Sequence, residues 1–291
     1  MHKQCKGHPV TLINTNQRKA GIVLVVASAI VFSSAGVFTN GVSTDAWGVI
    51  FWRGVAAAAF TLIYLVLRGA LLAEIRAFNK PAFFVTLMMA AGTAAFIPAF
   101  KLSSVANVAL IYATAPFIAA GLSWIFIKEL PTTRVIFASL AALGGVFVIV
   151  SASFGGSQLT GDFLALFMTL MMSGIMVVYR KFPSTTAALP AALSSIVVLP
   201  FALAYGDPFA VQSHELPILI AFGLVFAVAS VTLTEGARRL PSAETALLST
   251  LEMPLAPVLA FLVLSEVPTS PAIIGGSIIF LAVVWSQKRN A

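Results

Sequence analysis

The chain has 291 residues, of which 59% are hydrophobic and 9% charged, and its mean hydropathy is +1.01. Soluble domains are roughly a quarter charged, so this composition excludes a soluble globular protein and describes an integral membrane protein. The net charge of +7 then reads as loop charge on one face of a bilayer rather than as a nucleic-acid footprint, and the single cysteine, Cys5, excludes an internal disulfide.

A hydrocarbon core ~30 Å thick needs ~20 apolar residues in a helix. Ten segments meet that, at roughly 20–40, 46–67, 81–101, 104–127, 133–152, 160–180, 187–205, 216–236, 243–264 and 269–287. Their long unalternating runs specify helices rather than barrel strands. The tail before the first run carries His2, Cys5 and His8, but nothing nearby completes a metal site, so no metal is expected. The run Ala20 to Phe38 is longer than the ~7–15-residue core of a signal peptide and reads as a membrane span. Turn residues punctuate the chain: Asn40-Gly41 ends the first span, Lys80-Pro81 opens the third, Gly155-Gly156 separates the fifth from the sixth, and Gly206-Asp207-Pro208 follows the seventh. The weakest boundary is between the second and third spans, where Leu67 to Ala77 stays partly apolar.

With ten spans, nearly all Lys and Arg fall on one side, among them Arg18, Lys19, Arg68, Arg76, Lys128, Arg134, Arg180, Arg238 and Arg239. The other side collects Lys101, and Arg53 lies within a span. Both termini are therefore expected in the cytoplasm.

One stretch occurs twice. Ala106 to Ile136 overlays Ala243 to Ile273 without a gap at an offset of 137 residues, and Glu129-Leu130-Pro131-Thr132 falls on Glu266-Val267-Pro268-Thr269. Each half then holds five spans, an odd number, so the two must enter the membrane in opposite directions. A weaker echo pairs Gly21, Leu24 and Ser33 with Gly161, Leu164 and Ser173. The expected fold is an all-α integral membrane protein: ten transmembrane helices in two inverted five-helix repeats around a central cavity. Residues 1–17 form a cytoplasmic tail, 18–152 the first repeat, 153–158 an outer linker, 159–287 the second repeat and 288–291 a cytoplasmic tail.

These features resemble the EamA-type members of the drug/metabolite transporter superfamily, which includes bacterial amino-acid exporters. The resemblance covers nearly the whole chain. It rests on the five-plus-five plan, on Phe51-Trp52-Arg53-Gly54 early in the second span, on Pro116 thirteen residues before Glu129, and on the paired Glu-x-Pro-Thr runs. The ninth span departs from the pattern, with Met253 where the proline is expected and Pro254 and Pro257 nearby. The resemblance implies a basket of helices around a central cavity that moves small solutes by alternating access across the inner membrane.

Several residues are candidates to line that cavity. Glu252 lies midway along the ninth span, where a carboxylate is costly and functional by default, in solute contact or proton coupling. Thr245, Ser249 and Glu252 share one helical face, and their repeat partners are Val108, Tyr112 and Ala115. An apolar body would meet Tyr112 and polar groups would meet the ninth span; close helix packing by small residues is the alternative. Pro116 and Pro254 interrupt corresponding helices, a pointer to a midplane site. From the first and sixth spans come Phe32, Ser33, Met172, Ser173, Met176 and Tyr179, and from the third Phe96; packing or lipid contact is the competing role. Asn107 and Glu244 are repeat partners placed to gate the cytoplasmic mouth. Arg53, ~10 Å from the outer end of its span, either snorkels outward beside Trp47 and Trp52, caps carbonyls or attracts a solute carboxylate; a structural role is expected.

A transporter leads the function classes. A membrane-embedded enzyme lacks paired acids, an intramembrane histidine or a nucleophile with its base, and one polar stripe does not make the wet pore of a channel. No nucleotide-binding motif is present, and no cofactor is expected. A sugar-phosphate exchanger would want Lys or Arg near the midplane, which the sequence does not offer. Zwitterionic or neutral solutes remain, with amino acids the choice by resemblance and drugs or other metabolites the alternative. The expected partners are the solute and the lipid bilayer, with no nucleic acid, and the expected unit is a monomer.

Overall fold

The computed structural model of the chain describes residues 15–40, 42–103, 105–150, 159–264 and 270–287. Outside them lie His2, Cys5 and His8, the 153–158 linker, the second Glu-Val-Pro-Thr run, residues 288–291 and the side chain of Asn107. In chain order the helices are α1 (Thr15–Ser33), α2 (Ala35–Asn40), α3 (Ala46–Leu67), α4 (Leu71–Arg76), α5 (Lys80–Leu102), α6 (Val105–Tyr112), α7 (Ala115–Ile127), α8 (Thr133–Val150), α9 (Leu159–Lys181), α10 (Ala188–Tyr205), α11 (Leu216–Ala237), α12 (Ser242–Ser249), α13 (Glu252–Leu264) and α14 (Ser270–Gln287). No strand occurs among the described residues. Seven helices there are long and apolar enough to cross a membrane, and Lys80–Phe96 and Thr133–Ile149 are apolar but shorter.

Local sequence explains the ends. Asp45 caps α3 by accepting from the Trp47 and Gly48 amides, and Asn79 caps α5 by accepting from Ala82 N at 3.0 Å. Lys128 takes a left-handed φ of 58°, ends α7 and turns the following Glu129 back toward α9. Two features differ from the sequence expectation. The first span breaks at Ser34 into α1 and α2, and the ambiguous stretch after Leu67 holds the short helix α4.

The doubled stretch folds alike in both copies. Adding 137 to the bounds of α6, α7 and α8 gives the bounds of α12, α13 and α14, residue for residue. The packing pairs repeat as well. The contact of α5 with α9 has its counterpart in α11 with α1, that of α5 with α10 in α11 with α3, that of α6 with α9 in α12 with α1, and that of α7 with α9 in α13 with α1. The pairs α3 with α10 and α8 with α14 each join a helix to its own counterpart.

Glycines show how closely these pairs approach. A Cβ at Gly161 would sit 2.4 Å from the Leu102 carbonyl carbon and 2.5 Å from Ser103 N; one at Gly21 would sit 2.9 Å from Arg239 Cβ and from Leu240 Cγ. Leu102 and Ser103 are the repeat partners of Arg239 and Leu240, so Gly21 and Gly161 do the same job in each half. The weak sequence echo between them marks a real packing requirement. Gly145 and Gly275 bring α8 and α14 together with backbone against backbone, a Cβ at Gly275 lying 2.2 Å from the Gly145 carbonyl oxygen. Gly145 also faces Ile279 while Gly275 faces Ile149, so these helices run antiparallel.

Candidate functional site

The first and ninth spans and the fourth are the broken ones, and two of the three breaks follow from proline. Pro116 has no N–H for the Tyr112 carbonyl, and Pro254 none for Thr250. The chain tightens there, with Thr114 N bonding Ile111 O at 3.0 Å and Thr250 N bonding Leu247 O at 3.2 Å. The adjacent hydroxyls back-bond the same carbonyls, Thr114 Oγ1 to Ile111 O and Thr250 Oγ1 to Leu247 O, both at 2.6 Å. Backbone loosened in an apolar setting is thus satisfied internally.

Tyr112 is the last residue of α6, and Glu252 the first of α13. The Tyr112 and Glu252 side chains face each other across the two breaks. Both side chains are half-buried. Beside the first break, Ala115, Ala119 and Ala246 cluster with Met176, and Ser173 Oγ donates to Ala115 O at 3.2 Å. Pro116 is buried within the same crossing. Pro116, Ser173 and Met176 thus meet where α7 crosses α9, and Tyr112 and Glu252 lie at the adjoining breaks. An acid at the first turn of α13 also sits where the helix dipole favours negative charge. An apolar groove of about 440 Å³ opens on the other side of this helix, lined by Pro254, Pro257, Gly276, Ser277 and Phe280 among others. It has no charged lining residue, so the polar chemistry belongs to the Tyr112 side.

Other candidates take different places. Thr245 and Ser249 are buried and bond their own helix, at Pro241 O (3.1 Å) and Thr245 O (3.0 Å). Met172 reaches toward Gly92, its Cε 3.1 Å from where a Cβ would be. Tyr179 is fully buried with Val85, Met89 and Ala191, and its hydroxyl donates to Thr186 O at 3.1 Å, so it braces α9 against α5 and α10. Phe96 is 37% exposed. Phe32 and Ser33 lie at the break after α1; Ser33 Oγ donates to Ile30 O at 2.6 Å, and Phe32 meets Phe226 edge-on with centroids 5.8 Å apart.

Arg53 does not reach outward. Trp52 Nε1 donates to Pro208 O at 2.7 Å and Trp47 stacks on Tyr205, but the guanidinium carbon of Arg53 lies 4.3 Å from the Phe226 centroid and 5.4 Å from that of Phe222. The side chain is buried, and its Nε has no hydrogen-bond partner. A cation inside a span costs about 2.5–3.5 kcal/mol even on insertion scales. The aromatic pair offsets only part of that. Phe222 and Phe226 were not legible as its partners, because their one-turn spacing on α11 is lost among many phenylalanines.

Charged pairs cluster at the end where α12 begins. Arg18 pairs with Glu244 and also donates to Gln287 Oε1 at 3.1 Å, tying α1, α12 and α14. Arg180 grips Glu129 through two bonds of 2.8 Å, joining α9 to the turn after α7. Glu235 pairs with Arg238 at 2.7 Å and Arg239 at 2.6 Å. Glu244 was singled out from sequence; its partners Arg18 and Gln287, more than forty residues distant on either side, were not. In the short helix α4, burial pushes the Glu74 carboxyl up, although Leu189 N donates to it at 2.7 Å. At the opposite end Glu215 accepts from the amides and hydroxyls of Ser43 and Thr44. The Thr44 hydroxyl first, and then the Ser43 and Thr44 donors around it, hold its carboxyl down at about 2. Among the described residues, no three His, Cys, Asp or Glu side chains group as metal ligands.

Solved structures are similar in fold, among them a crystal structure with a TM-score of 0.83 over 93% of this chain and 98% of that one, at 16% sequence identity. No curated protein matches the sequence. The model of the EamA-like transporter family matches twice, over residues 19–151 and 159–286. Two copies of that family's unit account for nearly every described helix, and the chain belongs to the EamA-like transporter family.

Proposed function

We propose that the protein is a secondary transporter that exports small amphipathic metabolites, amino acids foremost, across the inner membrane by alternating access. The observation that carries this reading is the approach of the Tyr112 and Glu252 side chains between two proline-broken helices at matching positions of the two halves. Broken helices that meet at the interface of repeats are where secondary transporters bind their solutes. Tyr112, Met176 and the neighbouring alanines offer an apolar wall, and Glu252 offers a polar group for an ammonium or a proton. In this reading Glu252 exchanges a proton during the cycle, and the Arg18–Glu244 pair closes the cytoplasmic mouth.

The ten-span, inverted arrangement belongs to the same proposal. It is supported by the matching element bounds, by the antiparallel crossing of α8 and α14, and by the run of basic residues at one end. Both termini then face the cytoplasm, and a monomer is the working unit. The test is uptake by liposomes containing the purified protein, across a panel of amino acids, with and without a pH gradient. Uptake of at least one amphipathic amino acid, stimulated by the gradient, is expected. Folded protein that moves none of them would overturn the amino-acid reading.

A further inference from the structure

We propose that Arg53 is an anion subsite that holds the carboxylate of a small amphipathic solute, a reading that rests on the transport function proposed above. The side chain is 6% exposed and shares no ion pair with any described residue. Nε is the one guanidinium nitrogen both buried and unpartnered. The other two also lack a hydrogen bond, so they still reach open space. Phe222 and Phe226 flank the cation, but a ring face supplies no acceptor for a guanidinium fork. What that fork lacks is a planar acceptor with two oxygens, which a carboxylate provides through two charge-assisted bonds.

The surroundings suit the rest of such a solute. Phe226 carries Phe32 edge-on, and Phe222 stacks on Phe38 with centroids 5.2 Å apart. An apolar body bound at Arg53 would lie along these rings. The broken helix α1–α2 that brings Phe32 and Phe38 there also packs against α13, whose first residue is Glu252. One element thus packs both on the rings that flank Arg53 and on the helix that Glu252 opens, an arrangement that suits a zwitterion.

The experiment compares ligands that differ in the carboxylate. Thermal stabilisation of the purified protein is measured with L-phenylalanine, L-phenylalaninamide and phenylacetate, and uptake of the first two is measured in liposomes. The wild type is expected to prefer phenylalanine over the amide by about tenfold and to be stabilised by phenylacetate, with both effects lost in Arg53→Gln. The same preference in Arg53→Gln would overturn the subsite. Should that variant not fold, Arg53→Lys decides: a point charge without the fork lowers the preference several-fold, whereas a wild-type preference in it rejects the proposal. If the wild type transports neither ligand but phenylacetate still stabilises it through Arg53, the transport reading falls and the subsite stands.

Discussion

Glu252 and Tyr112 are repeat-shifted oddities: where one half has Tyr112 and Ala115, the other has Ser249 and Glu252. The fold sets the two odd residues against each other. Glu252→Gln keeps the shape and removes the ionisable group. Transport in this variant is expected to fall by about tenfold, equivalent to about 1.4 kcal/mol, and to lose its response to a pH gradient in liposome assays. Tyr112→Phe should lower the rate and keep the pH response, because the carboxyl remains. Glu215 makes a prediction of opposite kind. Its carboxyl is held at about 2 against an ordinary 4.5. The stabilisation is therefore complete above pH ~4.5 and is lost as the pH falls toward ~2. The melting temperature of the wild type should drop across that window by more than that of Glu215→Gln. Residue identity was legible at Glu252 because an acid in an apolar run is rare. It was not legible for Glu215, whose four donors come from a loop more than 170 residues earlier in the chain.

Among the elements, the broken helices were half-visible in the sequence. Pro116 and Pro254 announced two breaks, and the matching bounds of α6–α7 and α12–α13 follow from them. The break at Ser34 carries no proline, and its counterpart α9 runs straight through Ser173-Gly174, so periodicity gave no sign of it. Serine hydroxyls replace the missing ladder there, Ser34 Oγ donating to Val31 O at 2.7 Å. Pro116→Ala and Pro254→Ala return a backbone donor and let each helix run on. Both variants are expected to keep or raise the melting temperature while transport falls steeply, a split that separates a mechanical role from a folding one. Where helices touch through glycine the cost goes the other way. Gly161→Ala puts a methyl into the Leu102–Ser103 backbone and should destabilise by about 1–3 kcal/mol. Gly21→Ala meets mostly side-chain atoms of Arg239 and Leu240 and should cost less. Thermal unfolding of the two variants checks that order.

At the scale of the molecule, the composition alone placed the chain in a membrane, and the repeat offset of 137 residues divided it. Side-chain pairing across the repeat boundary was beyond reach, because sequence position says nothing of which helix faces which. Orientation is directly measurable. The one cysteine, Cys5, is removable, and single cysteines placed at Leu130 and Val267 are expected to react with an impermeant thiol reagent from opposite sides of the membrane. Labelling of both from the same side would refute the inverted arrangement.

The crossing of Gly145 with Gly275 joins a helix to its own counterpart, as does α3 with α10. Such contacts are what a symmetric dimer makes along its axis, where one patch is complementary to itself. The single chain is in this sense a dimer whose subunits have been joined end to end. Each half exposes a seam shaped for a copy of itself. A change on that seam meets a partner free to drift separately, and at Arg53 and Glu252, away from strict equivalence, the two subunits have become different molecules.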